Sequence, residues 1–501
     1  MSRQTGVPQV IRGSDVAAAL RSPRRLKTES LAGLVVALAL IPEAISFSII
    51  AGVDPRVGLF ASFTMAVTIA VVGGRPAMIS AATGAVALVV APIAREHGLD
   101  HLLATVILAG VLQVLLSALG VARLMRFVPR SVMIGFVNAL AILIFLAQLP
   151  HMTDVPWQVY PMIAAGLVVL VGLPRLTTAV PAPLVAIVLL TVVTMGFGLG
   201  VPSVGDEGEL PNTLPQWLIP DIPYTLNTLG LIAPYALAVA LVGLLESLMT
   251  AKLVDDITDT HSDKTREGWG QGVANVVTGF FGGMGGCAMI GQTMINVKSS
   301  GARTRISTFL AGVFLLILVV GLGDLVAQIP MAALVAVMVM VAVGTFDWHS
   351  IAPATLRRMP RSETAVMVVT VAITVATHNL AYGVIGGVIV ATLLFVRRVA
   401  HFTEVTAADS DDATTRTYHV RGELFFASSN DLVYQFDYAN DPARVVVDLS
   451  GTHVWDASTV AALDAIETKY RGKGKEVEFV GLNPASAERH DRLSGHLGGG
   501  H

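Results

Sequence analysis

The chain has 501 residues, of which 53% are hydrophobic and 14% charged. Soluble domains carry about 25% charged residues, and the mean hydropathy of +0.68 also points to a chain whose main solvent is lipid. The net charge of −3 gives no reason to expect a nucleic-acid partner, and the single cysteine, Cys287, excludes an internal disulfide.

Residues 1–28 read as a cytoplasmic amino-terminal segment. It holds Arg3, Arg12, Arg21, Arg24, Arg25 and Lys27 and lacks the short apolar stretch and cleavage site of a removable signal peptide. Residues 29–400 are filled by apolar runs. A spanning helix needs about 20 apolar residues, fewer if it is broken or buried in a bundle. Spans are therefore predicted to begin near Leu31, Gly58, Gly84, Leu102, Val132, Gln158, Pro181, Thr228, Gly268, Cys287, Ser307, Met331, Glu363 and Tyr382, about fourteen in all. The runs at 84–94 and 287–297 are too short and too rich in small residues to cross alone.

Loop charges set the orientation. With the amino terminus inside, inner loops collect Arg75, then Arg123, Arg126 and Arg130, then Arg175, then Lys252, Lys264 and Arg266. Lys298, Arg303 and Arg305, then Arg357, Arg358 and Arg361, and last Arg397 and Arg398, complete the series. The outer loops hold only Arg56 and Arg95. This is the positive-inside pattern and places both termini in the cytoplasm. Trp157, Trp217, Trp269 and Trp348 fall near predicted interfaces, where aromatic anchors are expected. The loop histidines show no metal-ligand spacing, so neither a metal nor a cofactor is expected.

Beyond Ala400 the composition changes. Thr403–Thr417 is a polar, acidic connection. Val445–Ser450 reads as a buried strand, Asp456 as the cap of an amphipathic helix reaching about Tyr470, and Glu476–Leu482 as a second strand. Residues 401–490 thus form a small cytoplasmic α/β domain, and residues 491–501 read as a disordered tail.

The membrane region repeats. A shift of 210 positions superposes Arg56 on Arg266, Gly58 on Gly268, Gly73 on Gly283 and Thr83 on Thr293. The repeats cover about 29–200 and 228–400. Seven spans in each half force opposite orientations, an inverted repeat, with substrate held near the midplane by discontinuous helices. Thr83, Gly84 and Ala85 open one short segment; Gly291, Gln292 and Thr293 lie in the other. Helix amino termini carry unpaired N–H groups and positive potential, so two facing ends suit an anion without Lys or Arg. Small residues at these positions serve tight helix packing equally well. Glu43 and Glu246 sit within apolar helices. Carboxyls there face a cavity, find a partner or carry a proton, although hydrogen bonding to a neighbouring helix is the plainer role. Pro42 is expected to bend or open its helix.

These residues resemble the SulP anion permeases, the sulfate-permease type of solute carrier, over nearly the whole chain. The resemblance rests on Pro42–Ser46, Thr83-Gly84, Glu246 and Thr293–Asn296 followed by Ser299–Thr304. The tail resembles a STAS domain through Val447–Ser450 and Asp456–Ser458. The resemblance implies an all-α polytopic fold of fourteen segments in two inverted repeats with core and gate domains, plus the α/β STAS domain. It also implies homodimers and an anion site between the third and tenth segments. Many relatives place Ser-Arg before the Thr of the tenth segment; here those positions are Gly291 and Gln292, which leaves dipoles and neutral donors to bind. Ala457 stands where some STAS domains carry a phosphorylated Ser, which argues against a phospho-switch.

The expected function is secondary transport of a small anion across a bacterial cytoplasmic membrane, not enzymatic catalysis. Proton symport of sulfate or of a C4-dicarboxylate such as fumarate leads, with Glu43 and Glu246 as coupling acids. Sodium-coupled bicarbonate symport and anion exchange are the alternatives within the family. A nucleobase–proton symporter of shared architecture and a non-transporting membrane-anchored STAS scaffold are the rivals outside it.

Overall fold

The computed structural model describes residues 14–120, 128–177, 181–400, 403–410 and 414–495. Arg123 and Arg126, two of the loop charges counted above, lie outside them. The chain divides into two compact units, Met1–Val388 and Ile389–His501.

A helix or broken helix stands at each of the fourteen predicted positions. The first half contains Pro23–Ala51, Pro55–Val72, Gly84–His97, Leu99–Ala118, Arg130–Leu146, Val159–Leu176 and Ala182–Phe197. The second contains Leu226–Thr258, Lys264–Phe280, Ile290–Met294 continued by a π turn through Ser299, Arg305–Gly321, Met331–Thr345, Arg361–Thr377 and Leu380–Ala400. Among the described residues, seven helices are long and apolar enough to cross a membrane by themselves. The rest are shorter, among them the apolar helices Ala182–Phe197, Arg305–Gly321 and Met331–Thr345.

Local sequence explains the ends. Pro23 occupies the first turn of its helix, and Gly52 closes it in the left-handed conformation at φ 78°. Asp263 and Thr304 cap the helices that follow them by accepting from the N–H groups of Arg266 and Ile306. The first helix runs through Pro42 without a break, contrary to an opened helix, and Ser46 Oγ donates to the Pro42 carbonyl at 2.8 Å. An additional short helix, Ser14–Leu20, lies within the segment that precedes the first span.

The two halves interleave. Leu99–Ala118 packs on Lys264–Phe280, and Arg305–Gly321 packs on the first two long helices, forming the core. The gate joins Arg130–Leu146 to Arg361–Thr377 and Met331–Thr345, and Val159–Leu176 to Met331–Thr345. In the core, Gly110 and Gly272 meet so closely that a Cβ on either falls 2.5–2.6 Å from the other's carbonyl oxygen.

At the centre of the core, two-residue strands precede the short helices. β1 (Ser80–Ala81) pairs antiparallel with β2 (Cys287–Ala288), Ser80 opposite Ala288 and Ala81 opposite Cys287.

Non-helical backbone at membrane depth persists only where protein satisfies it. Here buried side chains do so. Ala82 N donates to Ser62 Oγ, Ala288 N to Ser247 Oγ and Ile79 N to Thr293 Oγ1, at 3.3, 3.1 and 3.0 Å. Asn275 takes both polar groups of Gly286, and Asn296 donates to the Ala77 carbonyl.

In the second unit the sheet order is β3 (Glu404–Asp409), β4 (Thr415–Leu424), β5 (Arg444–Val454), β6 (Glu476–Val480), antiparallel for the first pair and parallel for the rest. The expected strands and helix are present, the helix spanning Ala457–Arg471 with Asp456 accepting from Thr459 N at 3.0 Å. The polar connection at Thr403–Thr417 contains β3. It is an edge strand with only Val405 half-buried, so its composition reads as loop. The last helix, Pro484–Leu493, runs into the stretch read as a disordered tail, because Asn483 caps it and Ser486 is buried beneath it. Residues 496–501 lie outside the described residues.

Candidate functional site

A cavity of about 450 Å³ lies between core and gate. Its core wall comes from the first, third, eighth and tenth segments through Glu43, Thr83, Gly84, Glu246, Gly291 and Gln292. Its gate wall comes from the fifth and twelfth through Phe136, Leu140, Ile144, Val341 and Thr345. The crossing strands bring the two short helices to this cavity from opposite directions, as their antiparallel pairing requires.

Each acid is bonded to a crossing segment. Gln292 Nε2 donates to Glu43 Oε1 at 2.5 Å, which joins the first span to the tenth. Cys287 Sγ donates to Glu246 Oε2 at 2.8 Å, and Thr83 Oγ1 lies 3.1 Å from the same sulfur. A thiol has one proton. With that proton given to Glu246, the Thr83 hydroxyl is the donor in the second contact. Thr83 also caps its helix by accepting from Val86 N at 3.4 Å. Glu43 and Glu246 are 9% and 8% exposed, so both are buried but still reach the cavity surface.

Among the described residues no Lys, Arg or His lines the cavity, and the only ionisable carboxyls that do are Glu43 and Glu246. A Cβ added to Gly291 meets nothing within 4 Å, so that backbone is open to a ligand.

The structure brings six of the predicted positions to one cavity: Glu43, Thr83, Gly84, Glu246, Gly291 and Gln292. Ala85 and Thr293 are not among its lining residues. Ala85 is fully buried, and Thr293 holds the backbone of Ile79. Sequence reasoning missed Cys287 as the link between Thr83 and Glu246. It also missed Ser62, Ser247, Asn275 and Asn296, which satisfy the crossing backbone. The available signal was polar residues within apolar runs, which in lipid must find partners.

Residues 26–370 match the model of the sulfate permease family, and residues 405–495 match the STAS domain. The chain belongs to the sulfate permease family. It is 54% identical to the "Putative sulfate transporter YbaR" of Bacillus subtilis, over 92% of this chain and 95% of that protein. It is 25% identical to the bicarbonate transporter BicA of Picosynechococcus, over 94% of this chain and 91% of that one. Among solved structures, SLC26A9 aligns with a TM-score of 0.78 at 16% identity, covering 93% of this chain and 86% of that one. The transmembrane domain of a cyanobacterial BicA aligns with a TM-score of 0.65 at 24% identity, covering 73% of this chain and 97% of that one. These similarities make this a multi-pass membrane protein of an anion-transporter family, with the fourteen-segment fold and a carboxy-terminal STAS domain.

Proposed function

We propose that the protein is a proton-coupled importer of a small anion, sulfate first and a C4-dicarboxylate such as fumarate second, working by alternating access in a bacterial cytoplasmic membrane as a homodimer. The observation that carries this reading is that, among the described residues, the cavity's only charge-bearing side chains are two carboxyls. An anion entering beside ionised Glu43 and Glu246 meets like charge at low dielectric, which is strongly unfavourable. Protonation removes that repulsion, so anion and proton enter together. Binding falls to neutral donors: Gln292, Thr83 and the backbone opened by Gly291. The sulfate assignment is supported by the description carried by the 54%-identical relative.

The Thr83–Cys287–Glu246 chain supplies a coupling device within this reading. While Glu246 is ionised, the thiol points to it and the Thr83 hydroxyl is spent on the sulfur. When Glu246 takes up a proton, it becomes the donor, the thiol turns towards Thr83, and the Thr83 proton is free for the anion. Anion binding at Thr83 and protonation at Glu246 then favour each other, a reciprocal coupling.

Uptake of labelled sulfate into proteoliposomes tests the reading. An inward proton gradient should accelerate uptake, excess fumarate should compete if dicarboxylates are carried, and sodium should be dispensable. Uptake indifferent to the proton gradient but dependent on sodium, with bicarbonate as the better substrate, would replace it by the sodium-coupled alternative.

A further inference from the structure

A second cavity, of about 610 Å³, opens away from the transport cavity and shares no lining residue with it. Four arginines line it: Arg24 and Arg25 on the first long helix, Arg75 between the second and third segments, and Arg303 between the tenth and eleventh. These belong to the loops that collect positive charge, the cytoplasmic face by the charge rule.

The positive charge is not balanced locally. One carboxylate, Glu29, lines the cavity, and its oxygens are taken by backbone N–H groups. Oε1 accepts from Arg303 N and Thr304 N at 2.8 and 3.1 Å, and Oε2 from Ser307 N at 3.3 Å. Glu29 thus adds to the Thr304 cap of the eleventh segment. Arg75 is 5% exposed and pairs with Asp255 at 3.0 Å, but Asp255 is shared with Lys264 at 2.6 Å. The buried Arg75 Nε has no hydrogen-bond partner. Among the described residues, Arg24, Arg25 and Arg303 form no ion pair.

Arg303 Nη1 donates to the Val297 and Ala302 carbonyls, and Arg75 also donates to Thr258 and Thr260, so the two holding arginines are fixed in place and the exposed Arg24 and Arg25 are the ones left to close on a ligand. Guanidinium groups lining one cavity match the oxygens of a phosphoryl group, which accepts bidentate pairs and carries more than one charge. A halide or single carboxylate leaves most of this charge unmatched. The volume exceeds that of a bare tetrahedral anion and leaves room for an attached organic group. We propose that this cavity is a binding site for a phosphoryl-bearing anion, separate from the transport site, which ties the first helix to the connections around Arg75 and Arg303. An anionic lipid headgroup and a soluble phosphate ester share this chemistry, and both are found at the cytoplasmic face.

The test uses the full-length protein in vesicles of phosphatidylcholine alone or with phosphatidylglycerol, following the thermal unfolding midpoint with and without pyrophosphate at fixed ionic strength. A saturable rise with pyrophosphate in phosphatidylcholine identifies a soluble ligand. A rise that follows phosphatidylglycerol content alone identifies a headgroup. In either case the rise should vanish in the double variant R24Q/R25Q, whose unliganded midpoint should match that of the parent because both side chains are exposed. It should persist in R357Q/R358Q, which removes two exposed arginines from another inner loop. No rise in either arm overturns the proposal. An equal loss in both double variants also overturns it, because surface charge alone then accounts for the effect.

Discussion

Replacing Cys287 separates a hydrogen-bond relay from ordinary packing. Cys287→Ala removes both the 2.8 Å bond to Glu246 and the 3.1 Å contact with Thr83. Under the proposed relay, ionised Glu246 in the parent weakens anion binding twice, by its charge and by engaging the Thr83 donor through sulfur. In the alanine variant only the charge acts, because Thr83 is free whatever the state of Glu246. A hydrogen bond to a charged partner contributes about 1.5–3 kcal/mol. The ratio of anion dissociation constants between the alkaline and acidic ends of the neutral range should therefore shrink by roughly tenfold or more. Cys287→Ser keeps one proton and an acceptor at the same place and should restore the parent ratio. Titrating sulfate binding calorimetrically across pH measures both variants. Loss of the buried sulfur also leaves a small void costing about 1 kcal/mol, but that cost lowers stability without altering the pH ratio. An unchanged ratio in Cys287→Ala, or a serine variant that behaves like alanine, would refute the relay.

The other predictions concern the second acid, the tenth segment, the crossing strands and the STAS unit. Glu43→Gln imitates the protonated acid and keeps a partner for Gln292, so anion binding should lose part of its pH dependence and uptake should respond less to a proton gradient in the liposome assay. Gln292→Arg places a permanent positive charge on the segment that now donates to Glu43; it should tighten binding of monovalent anions and flatten its pH profile, read by competition against labelled sulfate. Gly286→Ala drives a Cβ into the Ala81 carbonyl at the strand crossing. It should cost about 1–3 kcal/mol, visible as a lower unfolding midpoint and lost binding. Asp441, whose side chain is fully buried, accepts from Arg416 at 2.9 Å, Tyr418 at 2.9 Å and Tyr470 at 2.5 Å. Asp441→Ala removes the acceptor of both tyrosine hydroxyls, while Arg416 keeps Asp409, and should destabilise the STAS unit by about 3 kcal/mol, with faster amide exchange in Arg444–Val454.

The spans were legible because lipid imposes one simple rule. Apolar length marks a helix, and each predicted start from Leu31 to Tyr382 coincides with a helix or broken helix. The short segments were legible as well, since runs beginning at Gly84 and Cys287 are too brief to cross. What composition does not encode is register across the repeat. Thr83 and Thr293 align in a shifted sequence, yet one faces the cavity and the other holds the backbone of Ile79. Strand β3 escaped for the opposite reason: an edge strand with one half-buried side chain has no alternating pattern to detect. Cys287 escaped because its partners, Thr83 and Glu246, lie far from it in sequence and meet it only through the crossing.

The crossing also bears on why two acids stand in one site. The acid of the first half, Glu43, is bonded to the tenth segment, which belongs to the second half. The acid of the second half, Glu246, is linked through Cys287 to Thr83, which belongs to the first. Protonation at either acid therefore acts on a hydrogen bond that joins the halves. Yet the links differ: Glu43 takes its donor directly, while Glu246 acts through an intermediate that can reverse its direction. A direct amide donor still has a second N–H to offer an anion when Glu43 is ionised, whereas the Thr83 hydroxyl has no second proton. Under the proposed proton coupling, Glu246 then holds the stricter link, and Glu43→Gln should impair coupling less than Glu246→Gln does.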